Sequence, residues 1–362
     1  MKPSLALPSS ELIETPKVLK ALVPAHRALA ELKGVAKAIP NEGILISTLS
    51  MQEAQSSSAI ENIITTQDAL YKSELETKSV DPIAKEVSYY AKALNLGYQR
   101  VIDQEALTLN SIRAIQELLD GNTAGFRQTP DVVLRNELTN EVVYVPPSSE
   151  HVPTLMSELE LFINTPNNLD PLISMALIHH QFETIHPFSD GNGRTGRIIN
   201  ILYLVLSDLL DTPILYLSRY INQTKPEYYR LLQSVRDTGE WEAWMLYMLE
   251  GVQLTARHTI TLVQNIQELL LKLKKLIRAE HKFYSQDLIN SLFKHPYTKV
   301  AFLQDELKIS RATANRYLLA LEDNRILRKA KLGRENFFIN HELVSLLFEL
   351  PAMETDKVKD KA

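Results

Sequence analysis

The sequence predicts a mainly α-helical fold, and three observations predict it. Glycine is sparse, with 11 residues in a chain of 362. Most long segments repeat apolar residues at the three- and four-residue spacing that one face of a helix requires. Strand character is confined to one short stretch in the middle of the chain and another near its end. A chain of this length can bury a substantial core and form two or three domains.

Composition and charge exclude several classes of protein. Apolar residues make up 45% of the chain, charged residues 23%, and the net charge is −5, all close to the values of soluble globular proteins. The absence of cysteine excludes disulfides and thiolate chemistry and fits a reducing compartment. The N-terminus lacks the apolar core of a secretory signal, and the most apolar stretch, residues 198–206, is much shorter than a membrane span. We therefore expect a cytoplasmic protein that does not enter a membrane.

The N-terminal part of the chain, residues 1–105, is predicted to be a helical region. Helical spacing of apolar residues runs through three segments, residues 16–39, 45–71 and 81–102. A further helix near Leu107 to Leu119 opens the predicted core domain, residues 106–255.

Two β-branched runs follow this helix and predict a small hairpin. DVVLR, residues 131–135, and EVVYV, residues 141–145, are separated by the polar stretch NELTN. The chain then returns to helical spacing in three segments, residues 154–164, 171–186 and 193–210. The last segment is apolar on nearly every face after Arg197, which predicts a helix at the centre of a bundle with its N-terminus at the rim of the core.

The C-terminal third of the chain is predicted to be a separate, basic module. A long helical stretch, residues 241–282, leads through a linker, residues 256–290, into the module itself, residues 291–345. Residues 271–340 carry 15 Lys and Arg against 7 Asp and Glu, a local charge of +8 that leaves −13 on the rest of the chain. The remaining residues, 346–362, form a charged tail.

The module has the order helix, turn, helix and strand pair. Ser310 is placed to cap the second helix, and the residues exposed near the start of that helix are Arg311, Thr313, Asn315 and Arg316. Residues 326–339 look like a wing, so the module resembles a winged helix-turn-helix, which predicts contacts with DNA phosphates. Such modules also serve dimerisation or protein recognition, and the sequence leaves those alternatives open.

The stretch HPFSDGNGRTGR concentrates groups suited to phosphate chemistry. Gly191, Asn192 and Gly193 form a turn into a helix, and the backbone N–H groups at such a point bind anions. Arg194 and Arg197 lie three residues apart and project from the same face of that helix. Two guanidinium groups beside such a turn fit a polyphosphate better than a single carboxylate.

The same stretch carries a carboxylate and an imidazole. Asp190 would repel a bare phosphate, so the sequence predicts a cation between them, and such a carboxylate is a usual ligand of Mg²⁺ at nucleotides. His186 lies four residues earlier, where an imidazole could accept the proton of an attacking hydroxyl. Together these groups predict a phosphoryl- or nucleotidyl-transfer site. A zinc hydrolase is excluded because His179 and His180 form neither an HExxH nor an HxxEH pattern.

This stretch resembles the signature of the Fic family, His-x-Phe-x-Asp/Glu-Gly-Asn-Gly-Arg-x-x-Arg, and matches it at every specified position. The flanks support the resemblance. Residues 126–147 look like the family's β-hairpin flap, and the N-terminal helices are similar to those of bacterial Fic proteins. The resemblance covers roughly residues 1–260 and implies a Fic-type helical bundle with a flap, followed by the winged helix-turn-helix.

The resemblance also implies an activity, the transfer of AMP from ATP to a Ser, Thr or Tyr hydroxyl of a target protein or of the enzyme itself. It assigns proton removal to His186, the Mg²⁺ site to Asp190, and phosphate binding to the turn at residues 191–193. The two arginines that follow would clamp the β- and γ-phosphates. The flap would dock the target as an added strand.

Adenosine contacts are implied for one further segment. Tyr228 and Tyr229 resemble a tyrosine-bearing segment that flanks the adenosine in relatives, with ordinary packing of the two rings as the alternative. Arg236 stands where some relatives place an asparagine, which leaves the base specificity open.

The stretch SSSAIEN resembles an inhibitory motif of the family, Ser/Thr-x-x-x-Glu-Gly/Asn. Ser57, Glu61 and Asn62 occupy the specified positions of that motif. Ser57 and Glu61 lie four residues apart and so share one face of a helix. The resemblance implies that Glu61 pairs with Arg197 and takes the place of the γ-phosphate, so that ATP binds in a pose unfit for attack.

Two other functions stay open from the sequence. One is the removal of AMP from modified proteins as the main activity, which would depend on Glu61. The other is a DNA-binding regulator whose Fic domain only senses nucleotide. The function of such a regulator would persist in a His186→Ala variant. A homodimer that buries the inhibitory motif is also compatible with the sequence.

Overall fold

The computed structural model describes residues 7–348, apart from residues 40, 67–68, 71–72, 74–80, 130–131, 136–139 and 333–334. In this part of the chain most residues are helical and two small antiparallel sheets are present, which confirms the predicted fold class. None of the helices in the described part of the chain combines the length and the hydropathy that a membrane span requires.

The N-terminal region is a set of helices that begin at polar caps. The helices are α1 (Ser10–Ile13), α2 (Pro16–Ala36), α3 (Glu42–Ile60), α4 (Pro82–Gln104) and α5 (Leu109–Asp120). Side-chain oxygens accept from the first free N–H groups of α2 to α5, and the capping residues are Thr15, Asn41, Asp81 and Thr108. Proline at the first position of α2 and α4 fits the same rule, because its missing N–H would have no partner there.

The helix predicted over residues 45–71 ends early, at Ile60, so its predicted length is wrong. Asn62 adopts a φ of 61°, and its N–H donates to Ala59 O at 3.1 Å. The N–H of Ile63 donates to Ser58 O at 3.0 Å, which completes a Schellman ending. Asparagine tolerates the left-handed conformation better than most residues, so the last position of the predicted inhibitory motif is also the point where the helix stops.

The central region forms the bundle and carries the hairpin. Strands β1 (Leu134–Arg135) and β2 (Val142–Tyr144) pair antiparallel, as predicted. A short 3₁₀ turn (Ser149–His151) follows, and the helices are α6 (Val152–Asn164), α7 (Pro171–Ile185), α8 (Asn192–Leu206), α9 (Ser218–Gln223), α10 (Lys225–Thr238) and α11 (Trp241–Glu280). Helix α8 packs against α3, α4, α5 and α7, and all its residues except Gly193 and Leu206 are buried. It therefore occupies the centre of the bundle.

Helix α11 connects the bundle to the C-terminal region. It packs along α2 and runs without a break through residues 255 and 256, where the predicted core domain and linker meet. The elements beyond it are α12 (Gln286–Lys294), β3 (Tyr297–Thr298), α13 (Val300–Leu307), α14 (Arg311–Asp323), β4 (Arg328–Leu332), β5 (Glu335–Ile339) and α15 (His341–Phe348).

The C-terminal elements form a three-stranded antiparallel sheet in the order β3, β5, β4. Ser310 caps α14, since its Oγ accepts from Thr313 N at 3.2 Å. Helix α12 packs against α3, and Ser47 of α3 donates to Lys294 O at 3.1 Å. The order of helices and strands agrees with the sequence pattern. Most of the predicted tail, from residue 349 onward, lies outside the described residues.

Candidate active site

The loop from His186 to Gly191 joins α7 to α8 and has a fixed shape. His186 follows α7 with a φ of 49°, and Gly191 precedes α8 with a φ of 74°. Phe188 is buried between two other phenylalanine rings. The Asn192 amide closes the loop, because its nitrogen donates to Phe188 O at 2.8 Å and its oxygen accepts from Phe188 N at 2.9 Å. Asn192 therefore uses its side chain on the loop and offers its backbone N–H to the site.

The N-terminus of α8 forms an anion site. Within the described part of the chain no side chain caps this helix, so the N–H groups of its first turn are available. A Cβ atom added at Gly193 would lie 2.6 Å from Glu61 Oε1 and 2.8 Å from Arg197 Nη1, so the absent side chain allows this close approach. The anion beside the turn is thus the protein's own Glu61 carboxylate, at the place where the sequence predicts phosphate.

Glu61 bridges the two arginines of α8. Its Oε1 lies 2.7 Å from Arg197 Nη2, and its Oε2 lies 2.9 Å from Arg194 Nε. Both guanidinium groups are almost completely buried. Burial opposes the charge of Arg197, but the carboxylate of Glu61, together with Tyr228, Tyr90 and Glu183, outweighs burial and raises the pKa of the guanidinium. Such buried ions depend on each other, since removing one leaves an uncompensated charge.

The other two residues of the predicted inhibitory motif lie beside this ion pair. Arg197 Nε donates to Ser57 Oγ at 2.7 Å, and Nη2 donates to Ser57 O at 3.0 Å. The side-chain oxygen of Asn62 accepts from Lys225 Nζ at 3.1 Å. The structure therefore brings the segment that ends α3 and the helix N-terminus of α8 into direct contact.

Glu53 is a further member of this cluster that the sequence motifs do not include. It is buried one helical turn before Ser57, and its carboxylate accepts from Tyr90 Oη at 2.9 Å and from Ser218 N at 3.2 Å. Burial raises the pKa of Glu53 to about 7. Because Glu53, Ser57 and Glu61 are spaced by four residues, the helical periodicity of α3 could have identified it.

Glu86 on α4 is a second residue absent from the motifs. Its Oε1 lies 2.7 Å from Arg194 Nη1, so Arg194 contacts two glutamates at once. No local pattern identifies Glu86, because it reaches Arg194 only through the packing of α4 against α8.

Asp190 lies at the mouth of the anion site. Its side chain is 69% exposed, its Oδ1 accepts from Gly191 N at 2.6 Å, and Arg194 Nη2 lies 3.8 Å away. The described residues contain no cluster of three or more His, Asp or Glu that could hold a metal without help. A single accessible carboxylate beside an anion site fits Mg²⁺ when phosphate oxygens and water supply the rest of its shell.

His186 lies beneath the hairpin and is mostly buried. Burial lowers the pKa of its imidazole to about 4, and the positive charges of Arg127 and Arg236 act in the same direction, while Asp190 opposes them. The imidazole is therefore neutral at physiological pH and able to accept a proton.

The two tyrosines predicted to contact adenosine differ in their exposure. Tyr228 is buried among aromatic residues, and its hydroxyl lies 2.8 Å from His179 Nε2, so its ring has no free face for a base. Tyr229 is 47% exposed. Arg236 stacks on the Tyr144 ring, 3.9 Å from its centre, and donates to Glu183 O at 3.2 Å. Arg236 thus links the hairpin to the end of α7.

Two segments of the chain match known domain families. Residues 19–99 match the N-terminal domain of the Fic/DOC family. Residues 269–343 match the C-terminal domain of the family of SoFic-like protein adenylyltransferases. The first segment contains the predicted inhibitory motif, and the second contains the C-terminal sheet and helices α12 to α14.

Among curated proteins, a probable protein adenylyltransferase of Aquifex aeolicus is 25% identical over 164 residues, which are 41% of this chain and 51% of that protein. Protein adenylyltransferase Fic of Culex quinquefasciatus is 31% identical over 136 residues, 35% of this chain and 27% of that protein. The chain thus spans about half the length of the first relative and less of the second.

Solved structures of Fic proteins have the same fold. A Fic family protein from Desulfovibrio desulfuricans aligns over 90% of this chain and 96% of its own, with a TM-score of 0.56 and 22% identity. Fic-1 from Caenorhabditis elegans aligns over 69% of this chain and 74% of its own, with a TM-score of 0.53 and 20% identity. In two domain segments, in its fold and in a complete signature loop, the chain is therefore similar to proteins of the Fic family.

Proposed function

We propose that this protein is an adenylyltransferase that moves AMP from ATP to a hydroxyl group of a protein, and that Glu61 restrains it. The observation that carries the proposal is the arrangement around α8, where a neutral imidazole lies one loop away from a helix N-terminus flanked by two buried arginines. Relatives that carry the name protein adenylyltransferase support the same activity.

In the proposed reaction the hydroxyl oxygen of the target attacks the α-phosphorus of ATP. The bond from the α-phosphorus to the bridging oxygen breaks, and pyrophosphate leaves with the electron pair. His186 accepts the hydroxyl proton, and the two arginines of α8 balance the charge on the leaving group. Asp190 would hold Mg²⁺, which when bound offsets the negative charge of the phosphates.

The hairpin would present the target. Among the described residues β2 pairs only with β1, so its other edge is open to an extended segment, and its Val142 and Val143 are 48% and 44% exposed. Tyr144 Oη donates to Thr184 O at 3.1 Å, which keeps the same strand against the end of α7, two residues before His186. A hydroxyl on a strand docked here would lie close to the imidazole.

Restraint by Glu61 follows from its place in the anion site. The carboxylate occupies the space beside Gly193 and engages both arginines. A triphosphate in its reactive pose needs the same groups, so Glu61 and the terminal phosphate compete for them. The proposal therefore includes autoinhibition.

The test is to incubate the purified Glu61→Gly variant with ATP labelled on the α-phosphate and, separately, on the γ-phosphate. We expect label on the protein from the α-position alone. Label from the γ-position alone would indicate a kinase, and no label from either would favour nucleotide sensing. Adding wild-type protein to the labelled variant then tests for AMP removal, which would release the label.

The proposal also names partners and a compartment. ATP and protein substrates, the chain itself among them, are the partners that the reaction requires. A cytoplasmic location supplies ATP and fits a chain without cysteine. A second copy of the chain is a further proposed partner, in a homodimer compatible with the sequence that would bury the inhibitory motif.

A second function, DNA binding by the C-terminal region, is favoured by the surface of α14, where Arg311, Asn315 and Arg316 are exposed. We expect duplex DNA to bind at low salt, and the slope of log K against log salt to fall in magnitude by up to about 2 in the Arg311→Glu/Arg316→Glu double variant. Fluorescence anisotropy over a salt series measures it. Equal binding by the double variant and the wild type would contradict DNA recognition by this helix.

A further inference from the structure

Arg127 lies between the hairpin and the signature loop, in the segment that joins α5 to β1. It is 2% exposed, although nothing in the sequence motifs assigns it a function. Its backbone N–H donates to Pro187 O at 2.9 Å, which already ties its segment to the loop.

The guanidinium of Arg127 donates only to backbone carbonyls among its described contacts. Nε donates to His186 O at 2.8 Å, and Nη2 reaches Ile185 O at 3.5 Å. Nη1 donates to Thr129 O at 3.3 Å, and Nη2 also donates to Pro147 O. One planar, multidentate group therefore contacts the end of α7 and both ends of the hairpin segment. A lysine ammonium, with one nitrogen, cannot reproduce this geometry.

These carbonyls need a cation for physical reasons. The last carbonyls of a helix have no intrahelical donor and carry the negative end of its dipole. The carbonyls of Ile185 and His186 are of this kind, because α7 ends at Ile185 and His186 is its C-cap. His186 also holds a φ of 49°, a conformation that non-glycine residues keep only when the surroundings enforce it. The guanidinium of Arg127 supplies part of that enforcement.

We propose that Arg127 is a positioning residue that sets the distance between the strand-docking hairpin and the His186 imidazole. The inference rests on the proposed function, because it concerns how the target hydroxyl reaches the base. Arg127 has no described contact with the groups that would bind ATP. The guanidinium of Arg194 contacts Glu61 and Glu86. The guanidinium of Arg197 contacts Glu61 and Ser57. Loss of Arg127 should therefore affect transfer and spare nucleotide binding.

The experiment compares Arg127→Lys and Arg127→Gln in the Glu61→Gly background. We expect the ATP dissociation constant to stay within about twofold, and the single-turnover rate of AMP transfer to the chain itself to fall about tenfold for lysine and further for glutamine. Arg113→Lys is the matched control, since Arg113 is exposed and lies over the neighbouring Phe126 ring, 4.4 Å from its centre. A rate within twofold of the parent, or an equal loss in ATP affinity, would overturn the proposal.

Amide hydrogen exchange separates this inference from the proposed function. In Arg127→Lys we expect faster exchange in residues 128–147 and 185–188 and unchanged exchange in α8. If the Glu61→Gly parent transfers no AMP, the proposed function fails while the exchange result still reports whether Arg127 couples hairpin and loop. Exchange that is unchanged in both segments would contradict the coupling even in an active enzyme.

Discussion

Replacing Glu61 with glycine is expected to raise the rate of AMP transfer about a hundredfold, within the factors of about 5 to 150 that coupling free energies in proteins typically produce. Glu61 contacts both Arg194 and Arg197 in a buried environment, so a triphosphate must displace a strong ion pair before it can use the same guanidinium groups. Glycine can adopt the φ of −93° that Glu61 holds at the end of α3, so the substitution leaves the backbone there unstrained. The measurement is the initial rate of α-label incorporation at saturating ATP.

Glu86→Gln is the matched control for this prediction. It removes a carboxylate from Arg194 but leaves the pair between Glu61 and Arg197, so we expect a change of less than about threefold. A Glu61→Gly rate within threefold of the wild type would contradict the restraint. A large increase in the rate of AMP transfer in Glu86→Gln alone would mean that Glu86 on α4, and not Glu61 at the end of α3, restrains the enzyme.

The parts of the site that the sequence predicts are those whose residues are neighbours in the chain. The turn at residues 191–193, the arginines after it and His186 before it are related by one loop and one helical turn, so their spacing fixes their relation. The pair between Glu61 and Arg197 joins residues 136 positions apart, and only the resemblance to an inhibitory motif anticipated it.

The residues that the sequence did not reveal act through packing. Arg127 meets the carbonyls of the signature loop because the segment before the hairpin crosses the end of α7. Tyr228 is a core residue because α10 turns that side chain toward His179 and Trp244. The orientation of neither side chain can be predicted from spacing along the chain. The early end of α3 could have been predicted, since asparagine at position 62 favours a left-handed ending.

His186→Ala in the Glu61→Gly background is expected to lower the rate of AMP transfer about a thousandfold, as the loss of a general base does. ATP affinity should change little, because the anion site and its arginines do not depend on the imidazole. His341→Ala, at an exposed histidine on α15, is the matched control. A His186→Ala variant that keeps more than about a tenth of the rate would exclude the imidazole as the base.

The pH dependence of kcat/KM for ATP in the Glu61→Gly variant adds an independent readout of the same residue, because it reports the base in the free enzyme. Burial and the nearby guanidinium groups lower the pKa of His186 to about 4, so the imidazole stays neutral, and active, well below pH 6.5. We expect kcat/KM to fall only as the pH approaches the His186 pKa of about 4. A half-maximal rate near pH 6.5 would instead describe a solvated histidine, and would mean that the imidazole leaves its buried position before it accepts the proton.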